Sequence, residues 1–319
     1  MTIAKVTQIP RDGLRRKTLH MAQLTWVAFI LLFLGVYVHQ NWSAFSHLHW
    51  DMHLGWLSLA LLCGLTRRFI GGIRWVMIIN YDRKAIGLDT YVNYFRIYSM
   101  TNLSLYIPGY FTYFTHRTYM MKKEGVSPDR TILGLIYEMG IMLWTGLVIG
   151  SFAAFLLSEV LSPYFPLYLA ALSILSLILF HPRTINQLLT TYCRIRHLPP
   201  QRIDIPFRWV LGFVGLSCLI WMLGGGVLFS VLNAFSTTTE YDYFFLLSSL
   251  GMAWSIGFVT PWAPSGLGIQ EGLLVWFLSR YPVPLPFAAA ITMRLVYLFE
   301  DVFWFTIALI FRKRGTDGL

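Results

Sequence analysis

The chain has 319 residues, 56% hydrophobic and only 13% charged, with a mean hydropathy of +0.58 and a net charge of +10. A soluble domain carries about a quarter charged residues, so this composition excludes one and points to an all-α, polytopic membrane protein. The alternating segments of about ten residues expected of an outer-membrane barrel are missing as well.

Residues 1–20 carry Lys5, Arg11, Arg15, Arg16 and Lys17, which mark a basic cytoplasmic N-terminus. The apolar run 21–39 is long enough to span and lacks a small-residue cleavage site, so it reads as a retained span rather than a signal peptide. The loop 40–53 has no Lys or Arg, and Trp42 and Trp50 suit the outer interface. Its His47, His49, Asp51 and His53 alternate and would share one face of a strand as metal ligands would, but a plain polar loop is the preferred reading, and no metal or cofactor is assigned. A second span starts near Leu54 and continues past Arg67, Arg68 and Arg74 toward Ile79.

Residues 90–117 are apolar but interrupted by Asn93, Arg96, Ser99, Thr101, Asn102, Ser104, Thr112 and Thr115, too polar for a lipid-facing span. Both flanks are basic, so a hairpin entering and leaving the same face fits, with Pro108-Gly109 at its tip. Spans at 131–157 and 167–181 follow, joined by an outer loop at 158–166. Gly146 and Gly150 form a GxxxG, which predicts close helix packing. The cytoplasmic loop 181–208 holds Arg183, Arg194, Arg196, Arg202 and Arg208. A span at 209–232 leads to the acidic outer loop 233–242, whose Glu240 and Asp242 read as a solvated pair.

Residues 243–280 form a second broken hairpin, and a last span at 287–311 ends at Arg312, Lys313 and Arg314. In its break, Pro261 and Pro264 remove backbone donors while Gly266 and Gly268 tolerate positive φ, so a continuous helix is not expected.

In this arrangement all 25 Lys and Arg residues except Arg280 and Arg294 fall on the cytoplasmic side. The positive charge therefore reflects topology and not a nucleic-acid surface. Six full spans and two broken hairpins result, with 21–312 as a single transmembrane domain, 313–319 as a tail and both termini cytoplasmic in an inner (plasma) membrane. Full crossing of the hairpins would raise the number to ten. The hairpins enter from opposite faces, the pattern of an inverted repeat with a site near the midplane. Cys63, Cys193 and Cys218 share neither an outer compartment nor a CxxC spacing, so neither a disulfide nor zinc is expected.

Charged residues at membrane depth nominate the site. Glu271 follows the glycine break and opens the run 272–278, where helix capping competes with a functional role. Arg294 and Asp301 are seven apart in the last span and face one side of it, either as a salt-bridge framework or around a ligand. Glu138 lies within its span, and His116 and Arg117 follow the first hairpin tip. Arg117 suits a phosphate through its planar fork or serves as an interfacial anchor. No GxSxG, HExxH or Walker-type loop occurs, so energised transport and standard hydrolysis lack their motifs.

The run Pro264, Ser265, Gly266, Leu267, Gly268, Ile269, Gln270, Glu271 is similar to the PGGxGxxE signature of the lysylphosphatidylglycerol synthase transmembrane (flippase-like) family. Arg294-Leu295, Arg74-Trp75, Asn102 with Pro108-Gly109, and Glu138 resemble further parts of its pattern, over roughly residues 20–312. Where the family has PGRxGExxR, this chain places Tyr110, Thr112 and Tyr113 at the arginine, glycine and glutamate, with His116 or Arg117 closing the motif. The resemblance implies movement of a phospholipid or polyprenyl-linked lipid between leaflets. In some members this region is fused to a soluble aminoacyl-lipid synthase domain. No such domain is expected in this chain, so aminoacyl transfer is not expected either.

The expected function is thus lipid translocation at a headgroup-sized site. The alternatives are an integral-membrane transferase acting on a lipid carrier, or a non-catalytic partner of a lipid-synthesis enzyme. The expected partners are membrane lipids.

Overall fold

A computed structural model describes residues 53–82, 87–106, 110–156, 205–235, 240–260, 266–281 and 285–310, with His39 and scattered positions between 164 and 191. Among the described residues all regular structure is helical. The expected spans at 21–39 and, for the most part, 167–181 lie outside them.

Four long helices follow the apolar runs of the sequence: α1 (Leu54–Ile79), α4 (Pro128–Leu156), α5 (Phe207–Phe235) and α8 (Leu285–Ile310). At 26 to 29 residues each rises about 40 Å, enough to cross the hydrocarbon core. By length and apolar composition alone α1, α4 and α5 qualify as spans. In α8, every 18-residue stretch includes Arg294, Glu300 and Asp301, so its charge has to be absorbed by neighbouring helices.

Between the long helices lie two broken hairpins of shorter arms. The first is α2 (Leu88–Asn102), a 3-10 turn (Leu103–Tyr106) and α3 (Tyr110–Lys123), which ends six residues beyond the stretch that the sequence pattern suggests. The second is α6 (Tyr243–Phe258), α7 (Ile269–Phe277) and a 3-10 turn (Leu278–Arg280). No arm exceeds 16 residues, short of the roughly 20 a span needs.

The packing of these eight helices has an internal two-fold logic. Exchanging α1 with α5, α2 with α6, α3 with α7 and α4 with α8 turns each helix–helix contact into another that is also present. Thus α2 packs on α8 as α6 packs on α4, and α3 on α4 as α7 on α8. The helices α1 and α5, which pack on each other, are antiparallel. The His53 amide donates to the Ala234 carbonyl at 3.1 Å, and Arg74 reaches Ser217 from the other end. Exchange of two antiparallel helices requires an axis perpendicular to them, so the repeats are inverted with respect to each other.

The two halves close their equivalent seams differently. On the α4–α6 seam, Gly146 and Gly150 meet the backbone of α6, and a Cβ at Gly150 would stand 2.8 Å from the Met252 nitrogen. The GxxxG therefore makes the close approach that its spacing predicts. On the α2–α8 seam Phe95 packs edge-on to Trp304 with centroids 5.3 Å apart, and Phe69 stacks on the same indole.

Candidate functional site

The second hairpin breaks where its glycines allow. Gly266 and Gly268 have φ of +68° and +83°, a region that other residues avoid. Gly266 also lies against the backbone of Gly257, 3.2 Å from where its Cβ would be, which draws the break onto α6. Beyond it Glu271 turns back: Oε2 accepts from the Gly268 amide at 2.7 Å while Oε1 stands 3.4 Å from Arg294 Nη1. Glu271 is both cap and ion-pair partner. At the other end, Asp242 caps α6 by accepting from the Phe244 and Phe245 amides. Asp242 is exposed, as expected of a solvated acid, and also serves as a helix N-cap, because an unpaired first turn offers it amide donors.

In the first hairpin Arg117 is the centre. Its guanidinium donates to Thr101 Oγ1 at 2.8 Å, to Glu138 Oε2 at 2.8 Å and to Asn102 Oδ1 at 2.9 Å. Trp75, Tyr98 and Tyr113 pack around it at 4.4–4.8 Å from their ring centres. With no exposed surface it cannot be an interfacial anchor. His116 does not share this centre; its Nδ1 lies 2.7 Å from Ser104 Oγ and ties α3 to the 3-10 turn.

A row of arginines on α1 faces the hairpins. Arg67 pairs with Glu300 and lies 4.0 Å over the ring of Tyr297. Arg68 pairs with Asp301 at 2.5 Å, and Asp301 also accepts from the Tyr106 hydroxyl at 2.9 Å. Arg74 donates to Ser217 at 2.6 Å and stands 3.7 Å from Glu138. Gly64 leaves room for Glu300, since a Cβ there would sit 3.3 Å from its Oε2.

A partly open cavity of about 120 Å³ lies among these groups where the two halves meet. Arg67, Arg68 and Arg74 line it from α1, Asn102 and Tyr106 from the first hairpin, Glu138 from α4, Trp254 and Gln270 from the second hairpin, and Arg294, Tyr297 and Asp301 from α8.

Of the residues nominated from the sequence, Asn102, Glu138, Gln270, Arg294 and Asp301 line the cavity. Arg117 and Glu271 stand behind it, each ion-paired to a lining residue. Gly266 and Gly268 shape the break, but the Gly268 amide is already taken by Glu271 and is not open to an anion. His116 is not in the lining, and Pro108, Gly109 and Pro264 lie outside the described residues, as do His47 and His49. Asp301 and Arg294 share a helix face as expected but answer to different partners, Arg68 and Glu271.

The main correction concerns the exposure of Arg67, Arg68, Arg74 and Arg117, which the charge pattern groups with the basic residues of the cytoplasmic segments. Their side chains are packed between helices, Arg74 and Arg117 almost completely. A signal for this exists in the chain: Arg67 and Arg74 are seven apart, with Gly64 and Gly71 at intervals of three and four. That is one inward face of a helix rather than a solvated end.

The sequence matches the family described as Lysylphosphatidylglycerol synthase TM region over residues 21–304. The chain belongs to that family. It is a multi-pass membrane protein related to lipid synthesis or translocation. No curated protein matches the chain.

Proposed function

We propose that this protein is a lipid translocase that passes an anionic headgroup, of a phospholipid or a polyprenyl-linked lipid, between leaflets. The reading is carried by one observation: a polar, arginine-lined cavity at the junction of two inverted halves, each contributing a broken hairpin. Broken elements facing each other across an inverted repeat are how alternating access is built around a fixed site. The headgroup would occupy the cavity while the acyl tails stay in lipid, so no wide pore is needed.

Within this reading the hairpins are re-entrant, the first from the cytoplasm and the second from outside. Arg294 and Glu271 form the movable contact. Their side chains keep 18% and 17% of their surface exposed, and their 3.4 Å separation is looser than a hydrogen bond between charged groups. An entering phosphate would take Arg294 as its countercharge, leaving Glu271 on the Gly268 amide.

Reconstitution tests it. A fluorescent anionic phospholipid in proteoliposomes should change leaflet faster with wild type than with Arg294→Ala. Equal rates for both proteins, matching empty liposomes, would sink the translocase reading and put an accessory role in lipid synthesis ahead.

A further inference from the structure

Between the cavity and the lipid-facing surface of α1, α2 and α8 stands a thin wall of aromatic rings. On each of these helices a ring lies just outside a residue that lines the cavity. Phe69 adjoins Arg68 on α1, Phe95 precedes Tyr98 by one turn on α2, and Trp304 follows Asp301 by one turn on α8. The three rings pack on one another with centroids 5.3–5.5 Å apart. Phe95 and Trp304 are half-buried, while Phe69 and Phe303, which packs edge-on to the indole, are exposed.

The internal two-fold supplies a comparison. At the equivalent α4–α6 seam the backbones themselves touch: a Cβ at Gly251 would stand 2.9 Å from the Gly146 carbonyl oxygen. That seam has no side chain to swing aside. At the α2–α8 seam the filling is side chain, with Phe95 pressed into the notch that Gly72 leaves on α1 and against Trp304. Rings that turn outward from this seam pass from protein into hydrocarbon that is equally apolar, so opening forfeits packing but no hydrophobic burial. A polar contact across the seam is also cheap to release. The Tyr106 hydroxyl donates to Asp301 at 2.9 Å, and Asp301 keeps its ion pair with Arg68 when that bond parts, so no charge is stranded.

We propose that the α2–α8 seam is a lateral gate through which a lipid headgroup reaches the cavity, with Phe95 and Trp304 as its leaves and Tyr106–Asp301 as its latch. The gate rests on the translocase reading and adds the route and its control. Phe95 lies half-way along α2, so the gate opens toward the leaflet from which the first hairpin enters. Tails stay in that leaflet while the headgroup passes between the helices. The equivalent seam of the other half stays shut, which makes lateral entry one-sided.

The first test reads access and needs no transport. Cys63, Cys193 and Cys218 are replaced by alanine, and Met139→Cys puts one thiol in the cavity lining, where Met139 is half-buried. The purified full chain in phosphatidylcholine vesicles is labelled with a phosphatidylethanolamine that carries a maleimide on its headgroup, or with water-soluble N-ethylmaleimide. Adding Phe95→Leu and then Phe95→Ala should speed labelling by the lipid reagent in that order, about fivefold or more for alanine, and leave N-ethylmaleimide unchanged. Tyr106→Phe should act in the same direction. A lipid reagent indifferent to Phe95, or equal acceleration of both reagents, would overturn the gate.

The second test closes it. In the same cysteine-free background, Phe95→Cys with Trp304→Cys is bridged by a short bismaleimide, and each single variant treated alike is the control. The bridge should reduce movement of a fluorescent anionic phospholipid to the rate of empty liposomes, and the singly labelled controls should keep theirs. Full movement by completely bridged protein would also overturn the gate. If the unbridged protein moves no lipid while labelling follows the expected order, the lateral entrance stands and the translocase reading alone falls.

Discussion

Arg117–Glu138 and Arg294–Glu271 occupy equivalent places in the two halves: each joins the second arm of a hairpin to the long helix after it, α3 to α4 and α7 to α8. The polarity is exchanged, with arginine on the arm in the first half and on the long helix in the second. Their environments differ more than their geometry. The first pair is at 2.8 Å, with 0% and 3% of the side chains exposed, and Arg117 is boxed in by Trp75, Tyr98 and Tyr113. The second is at 3.4 Å and partly open, with Tyr106 as an aromatic neighbour at 5.6 Å. The lesson is that one interaction serves two purposes according to its burial. A fully desolvated pair cannot be parted without stranding a charge, so it fixes the first hairpin. A half-open pair exchanges partners at low cost, so it is the one a ligand can enter.

The largest expected effect comes from breaking the buried pair. Glu138→Gln strands Arg117 and weakens the hold on Arg74, which should cost about 3–5 kcal/mol and most of the folded protein. Yield and melting temperature in detergent would show it. Recovery in a Glu138→Leu, Arg117→Leu double variant would confirm that the loss is an uncompensated charge.

Next is Gly150→Leu on the α4–α6 seam. Backbone stands where the new side chain must go, so the helices separate at a cost of about 1–3 kcal/mol or more. The equivalent α2–α8 seam is made of rings that repack, so Phe95→Leu should cost less. A larger loss for Phe95→Leu would reverse the assignment of the rigid seam.

Asp242→Ala removes two amide contacts at the start of α6 and should cost about 1 kcal/mol without altering lipid binding. The smallest loss of stability is expected for Glu271→Gln, since its pair is solvent-accessible and an amide oxygen still caps Gly268: about 0.5 kcal/mol or less. Transport should nonetheless disappear. If Glu271→Gln instead lost folded protein and neutralising Arg294 rescued it, the second pair would be as structural as the first and the contrast between the halves would collapse.

Much of the fold is written locally. The boundaries of α1, α4, α5 and α8 fall within a few residues of the apolar runs, because a segment of that length and composition is stable only as a helix that satisfies its own backbone. The break before α7 is equally local: Gly266 and Gly268 permit a positive φ that other residues resist, and Glu271, three residues on from Gly268, is placed to cap. Even the pairing of Glu271 with Arg294 follows from the cost of leaving either charge alone at depth.

Tertiary structure alone decided where the remaining arginines went. Arg67, Arg68 and Arg74 share a helix with apolar residues, and Arg117 sits in a run that ends in Lys122-Lys123, so charge patterning assigns all four to the cytoplasm. What that pattern does not show is their burial, which comes from the arrival of Glu138, Glu300 and Asp301 from helices distant in sequence, on the other side of the inward faces. Side-chain charge is a property of a residue, whereas its compensation belongs to a pair that the chain brings together only on folding. The donors left over after that pairing, on Arg67, Arg68, Arg74 and Asn102, exist only as a remainder of packing, and no spacing in the sequence encodes them.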